Sequence, residues 1–241
     1  MSAALRLAVA VAVVALLGRS ARLAWSNRSV AMAVWRRVRV RHLLGSLVLL
    51  VAVGSTALGL AALVPVTRYG LGTLVGFTGN AVFAPVEEAA VRAGGASPLT
   101  SPAADVVTTV AVCAFLLGLA ALFPWLAYVE EQRFRVGLER VGLGGQVRAA
   151  MRFGLAHLVM LIPVSAALAI GIAGFYYGQV YRRAYRRAWA TAGDSDAVAG
   201  QWASRSVRQE AVLASTVWHT TFNTLIAGLV ITVLLAELAL T

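Results

Sequence analysis

The chain has 241 residues, of which 60% are hydrophobic and only 13% charged, and its mean hydropathy is +0.79. Soluble domains are about half apolar and a quarter charged, so this composition excludes an ordinary water-soluble enzyme and indicates an integral membrane protein. The net charge of +11 comes from arginine alone, since the chain has no lysine. The arginines cluster at the ends of apolar segments, which points to membrane topology and anionic headgroups and not to nucleic acid. The single cysteine, Cys113, excludes an internal disulfide and reads as a small core residue.

With roughly 20 residues per span, the expected fold is an all-α, polytopic transmembrane bundle of about six spans, with a seventh segment that is re-entrant or interfacial. The first apolar stretch runs from Ala3 to Gly18, interrupted by Arg6. A cleaved signal peptide is the alternative, but Arg19–Arg41 follows with arginines at 19, 22, 28, 36, 37, 39 and 41. So basic a segment resists translocation, which places it in the cytoplasm and the N-terminus outside. The second span is Leu43–Val66. An external loop, 67–105, contains a semi-apolar piece, Leu71–Ala84, and a loop signature at Gly94-Gly95-Ala96-Ser97-Pro98. Residues 1–105 thus form an N-terminal membrane region of two spans.

Residues 106–241 form a core of four spans. The third span, Val106–Tyr128, delivers Glu130 and Glu131 to the cytoplasmic side. The apolar run 149–181 is too long for one span and is broken by Pro163, so two short helices with a turn near Pro163 are expected. The last span is Ala211–Leu240. Before it, Ala188–Gln209 reads as an exposed linker, with a substrate-gating loop as the alternative. This layout leaves only Arg6, Arg68 and Arg92 outside, as the positive-inside rule requires. The expected location is a prokaryotic plasma membrane, with membrane lipids as partners and no nucleic acid.

Three polar motifs interrupt the apolar helices: Glu130-Glu131-x-x-x-Arg135, Phe153-x-x-x-His157 and His219-x-x-x-Asn223. Ionisable groups inside a membrane are costly and usually functional. By residue count His157 lies about 12 Å into its helix, and His219 about as deep in the last one. All three motifs therefore approach the cytoplasmic half of the bilayer. Glu131 and Arg135 are one turn apart and can pair, which leaves Glu130, about 100° round the helix, free to face a cavity. Alternatively the glutamate motif is a helix-end ion pair, and each histidine motif is a structural interhelical hydrogen bond. The pattern also occurs at Glu87-Glu88-x-x-x-Arg92, on the external side by this topology. Together, a carboxylate, two imidazoles and an amide are the parts needed to split a peptide bond, as general base and oxyanion donors. One glutamate with two histidines is equally a ligand set for a catalytic metal.

The ordered trio EExxxR, FxxxH and HxxxN resembles the CAAX prenyl endopeptidase and bacteriocin-processing family of intramembrane metalloproteases, also called CPBP or Abi. Glu130-Glu-Gln-Arg-Phe-Arg135 is similar to that family's EExxFR, and Phe153-Gly-Leu-Ala-His-Leu158 to its second motif. Gly174-Phe-Tyr-Tyr-Gly-Gln-Val-Tyr-Arg-Arg183 is similar to the glycine- and tyrosine-bearing helix that precedes the third. The resemblance covers about residues 106–235. It departs at Val136, where the family has glycine, at the more polar Gln132 and Arg133, and at the inserted 188–209.

The resemblance implies that Glu130 activates water, that His157 binds or orients it, and that His219 and Asn223 stabilise the oxyanion. Glu131, Arg135 and Phe153 would support the site. Zinc or another divalent ion held by Glu130, His157 and His219 is one option, and a metal-free glutamate mechanism is the other. The implied substrate is a membrane-anchored peptide or protein cleaved near the cytoplasmic leaflet. Two other classes compete: a catalytically inactive scaffold or immunity-type protein of the same fold, and a small transporter. The transporter ranks last because no internal symmetry is evident.

Overall fold

The computed structural model describes residues 3–74, 102–192 and 197–240, and these are helical apart from short connections. The helices are α1 (Ala3–Ser26), α2 (Arg28–Arg37), α3 (Val40–Leu63), the single turn α4 (Leu71–Leu74), α5 (Pro102–Arg135), α6 (Leu143–Ala156), α7 (Val164–Ala192) and α8 (Ala197–Leu240). The architecture is all-α, as expected. Most of 67–105, including Glu87, Glu88 and Arg92, lies outside the described residues.

Five helices are long and apolar enough to cross a membrane: Leu7–Ser26, Val40–Leu63, Thr109–Arg140, Val164–Thr191 and Arg205–Leu240. The sequence suggests about six, and the difference lies in α6. Its 14 residues rise only about 21 Å, short of a hydrocarbon core of about 30 Å. One 3-10 turn, His157–Met160, extends it, and Leu161 reverses the chain in the left-handed region (φ 63°). Pro163 then precedes α7, so the turn falls where the proline predicts it. Because α6 begins at Leu143, His157 lies about 21 Å along the axis from its start, farther than the 12 Å estimated from sequence.

Several helices outrun their apolar stretches. α1 continues past Gly18 through Arg19 and Arg22 to Ser26, since arginine, alanine and leucine favour helix even where hydropathy falls. The segment 188–209, expected to be an exposed linker, is helical over its described length, though Trp189, Ala190, Thr191 and Arg205 are exposed. α7 runs on to Ala192 and α8 starts at Ala197, with only 193–196 between them outside the described residues. Alanines at 188, 190, 192, 197 and 199 favour the helical state.

α7 is the hub, packed along α3, α6 and α8, while α5 lies along α8. The α6–α7 contact is close because it is built from small residues. A side chain at Gly154 would sit 2.3 Å from the carbonyl oxygen of Ala167, the near approach that small residues permit between membrane helices. α3 closes the back of the bundle. Leu49 and Val53 share one apolar cluster with Phe153, Ala169, Ala173, Tyr177 and Phe222. The far end of α3 is tied to the α6–α7 turn, where the Val164 N–H donates to the Tyr69 carbonyl at 2.9 Å. Gly70 is needed there, because a Cβ would lie 2.2 Å from the Ile162 carbonyl oxygen.

At the opposite end, the loop after α5 is braced by Glu139. Its carboxylate accepts from the Gly137 N–H at 2.9 Å, the Tyr181 hydroxyl at 2.9 Å and Arg208 Nε at 3.2 Å. One acidic side chain thus fixes the end of α5 to both α7 and α8.

Candidate functional site

The site begins with Glu131 and Arg135, one turn apart on the face of α5 that meets α8. Both side chains are fully buried, with Arg135 Nε 2.9 Å and Nη2 3.4 Å from the two carboxylate oxygens. Beneath this pair lies Phe153 of α6, whose ring is 4.5 Å from the guanidinium carbon. A buried guanidinium over an aromatic face gains a cation–π contribution of about 2 kcal/mol. The ion pair expected from sequence is therefore present, and it lies in the protein interior, not at the helix-end surface.

The oxygen more loosely held by Arg135 also holds the third motif. Glu131 Oε1 is 3.0 Å from His219 Nδ1, so Nδ1 carries the proton and donates to the carboxylate, leaving Nε2 to face the site. The ring is held on two further sides. Tyr177 of α7 stacks on it at 4.9 Å and 19°, and Phe153 meets it edge-on at 5.6 Å. Tyr177 is buried, and its hydroxyl has no hydrogen-bond partner among the described residues.

His157 is fixed by its own helix. Its Nδ1 lies 2.9 Å from the Phe153 carbonyl oxygen and must donate to it, so in the neutral ring Nε2 presents a lone pair. Both Nε2 atoms point at one oxygen. Glu130 Oε2 lies 3.9 Å from His157 Nε2 and 3.8 Å from His219 Nε2, is buried, and has no hydrogen-bond partner among the described residues. A lone pair on His157 and a carboxylate oxygen cannot bond each other. Their separation suits a single water donating one hydrogen to each, with hydrogen bonds of about 2.8 Å.

The structure therefore brings together Glu130, Glu131, Arg135, Phe153, His157 and His219. Asn223, one turn beyond His219 on the same face, is half-buried and makes no side-chain hydrogen bond among the described residues. The third histidine stands apart. His42 accepts the Arg39 N–H through Nδ1 at 2.9 Å, capping α3, and its ring meets Trp218 edge-on at 4.8 Å.

Two features of the site escape sequence reasoning. Tyr177 belongs to no spaced motif, although a tyrosine in mid-helix signals a polar tip that needs a partner. The bracing Glu139 looks like an ordinary loop glutamate until Tyr181 and Arg208 converge on it. As to metals, the donor types of Glu130, His157 and His219 suit zinc. Their arrangement does not form a metal-holding group, however, and no set of three or more His, Cys, Asp or Glu does so among the described residues.

Comparison of the chain with protein-family models, with curated proteins and with solved structures finds no match.

Proposed function

We propose that the protein is an intramembrane endopeptidase that hydrolyses a peptide bond in a membrane-anchored peptide or protein. The observation that carries this reading is the partnerless Glu130 oxygen between two imidazoles. A buried carboxylate oxygen without a donor costs about 1–3 kcal/mol or more, and such a group persists where a ligand or reactant satisfies it. Here the reactant is water. His157 Nε2 and Glu130 Oε2 each accept one of its hydrogens, which aims the oxygen lone pair away from both and toward a carbonyl carbon.

Glu130 takes the proton as the water attacks, the carbonyl oxygen becomes an oxyanion, and the same carboxyl group returns the proton to the leaving amine. His219 Nε2, when that ring is protonated, and the Asn223 amide are the donors on hand for the oxyanion. The chemistry is balanced: one water is consumed, one C–N bond breaks, and an acid and an amine are released. The arginine-rich ends of the helices support a reading in which the scissile bond lies near the cytoplasmic leaflet of a prokaryotic membrane.

The test uses protein reconstituted in vesicles with fluorogenic, membrane-anchored peptides. Glu130→Gln should lower kcat by at least about 100-fold, the scale of a lost general base. Its thermal stability should be unchanged, because that oxygen makes no hydrogen bond to lose. Retained cleavage in Glu130→Gln and in His219→Ala refutes the proposal. Activity that survives exhaustive chelation supports the water-only form, whereas loss restored by zinc assigns the ion.

A further inference from the structure

The two residues that hold the attacking water lie on helices that scarcely pack together. α6 runs along α7 and α5 along α8, while the backbones of α5 and α6 approach each other at few points. Their side chains meet at Phe134 and Phe153, 5.3 Å between ring centres. Exposure follows this seam. The Glu130 side chain is 38% exposed and that of His157 18%, whereas His219 is at 4% and Glu131 and Arg135 at 0%. The site is sealed toward α8 and open between α5 and α6.

The lips of the opening can be read residue by residue. On α6 the residues Ala149, Arg152 and Ala156 share one flank, and Ala149 packs against the cluster that contains Tyr128 of α5, Leu138 of the following loop and Tyr181 of α7. Ala156, beside His157, is nevertheless exposed, and so is Arg152. On α5 the exposed Arg133 follows Glu130 by three residues on the same flank. The helices are antiparallel, so both arginines lie on one side of the catalytic pair. Arg133 is about 4.5 Å along the axis from Glu130 and Arg152 about 7.5 Å from His157. Neither arginine makes an ion pair among the described residues. In the other direction, beyond His157, the chain is apolar, with the exposed Val159 and the half-buried Met160.

A chain lying in this opening meets apolar side chains on one side of the reacting carbonyl and two unpaired guanidinium groups on the other. We propose that the opening between α5 and α6 is the substrate groove, and that Arg133 and Arg152 select substrates with an acidic side chain next to the scissile bond. An extended peptide advances about 3.3 Å per residue. The two arginines therefore fall opposite a position about two residues from the cleaved bond, on the side away from the membrane anchor. This inference rests on the endopeptidase reading and adds to it the class of substrate.

The test compares three anchored peptides in zwitterionic vesicles, alike except for Glu, Gln or Lys two residues from the scissile bond on the water side. Wild type should cleave the Glu peptide with kcat/KM about 10-fold above the Gln peptide, and the Lys peptide least well. Arg152→Glu and Arg133→Glu should reverse that order, bringing the ratio of kcat/KM for the Glu peptide to that for the Lys peptide below one. Equal cleavage of all three by wild type overturns the specificity while leaving the endopeptidase intact. Altered binding to anionic vesicles with an unchanged peptide preference also overturns it, and assigns the arginines to lipid headgroups. Absence of cleavage of any peptide by wild type sinks both readings.

Discussion

Arg135→Met tests the buried ion pair that organises the site. Methionine fills much of the arginine volume, so the change removes charge more than packing. It leaves the Glu131 carboxylate fully buried with His219 Nδ1 as its remaining donor, having lost the 2.9 Å bond from Nε, the longer 3.4 Å contact from Nη2 and the cation–π contact to Phe153. Breaking one partner out of a buried pair costs about 3–5 kcal/mol, because an uncompensated charge stays behind. Glu131→Gln should cost a similar amount by stranding the guanidinium. The double variant removes both charges, so its cost should fall below the sum of the singles by about 2 kcal/mol, the coupling expected for contacting residues in one network. Reversible unfolding in mixed micelles, followed by tryptophan fluorescence, measures all four corners of the cycle. Single costs below about 1 kcal/mol that add in the double variant would refute the view that this pair is a dry, coupled core.

Two further outcomes follow from the packing. Gly154→Ala should destabilise by about 1–3 kcal/mol, the usual cost of forcing volume into a close-packed contact, and should lower activity by shifting His157 three residues on; unchanged stability would contradict the α6–α7 approach. Tyr177→Phe keeps the ring on His219 and should retain most activity. Tyr177→Leu removes the stack and should lower kcat by about 10-fold or more with little change in KM, and equal effects of the two variants would show that the hydroxyl, not the ring, matters.

Much of this arrangement was legible because helices repeat every 3.6 residues. A spacing of four placed Arg135 on Glu131, a spacing of one set Glu130 aside, and the structure has Glu130 Oε2 unpartnered with Glu131 fully paired. What was not legible depends on quantities that hydropathy does not measure. Hydropathy marks where an apolar stretch ends, whereas helix ends depend on backbone propensity and caps, and for that reason α1, α7 and α8 overrun the expected boundaries. The length of α6 was misjudged because Gly144 and Gly145 lie inside its first turn despite their low helix propensity. Tyr177 and Phe153 surround His219 through tertiary packing, for which no local spacing exists. Phe153 was found for its place in a motif, yet its part is to present a carbonyl to one histidine and a ring to the other.

The clasp between Gly70 and the Ile162–Pro163 turn ties the first part of the chain to the helix end that carries His157. His157 sits at the end of α6 where the helix tightens into a 3-10 turn, only six residues before Pro163, and nothing on α5 grips it from the side. Its height relative to Glu130 is set by the close α6–α7 contact at Gly154 and, past the turn, by the Tyr69 carbonyl meeting the Val164 N–H. Adding or deleting one residue in α3 would shift that anchor by about 1.5 Å, enough to spoil a water bridge between atoms 3.9 Å apart. Under the proposed hydrolysis, α3 acts as a ruler for the spacing of Glu130 and His157, so that its length answers to the proposed water site as well as to the thickness of a bilayer.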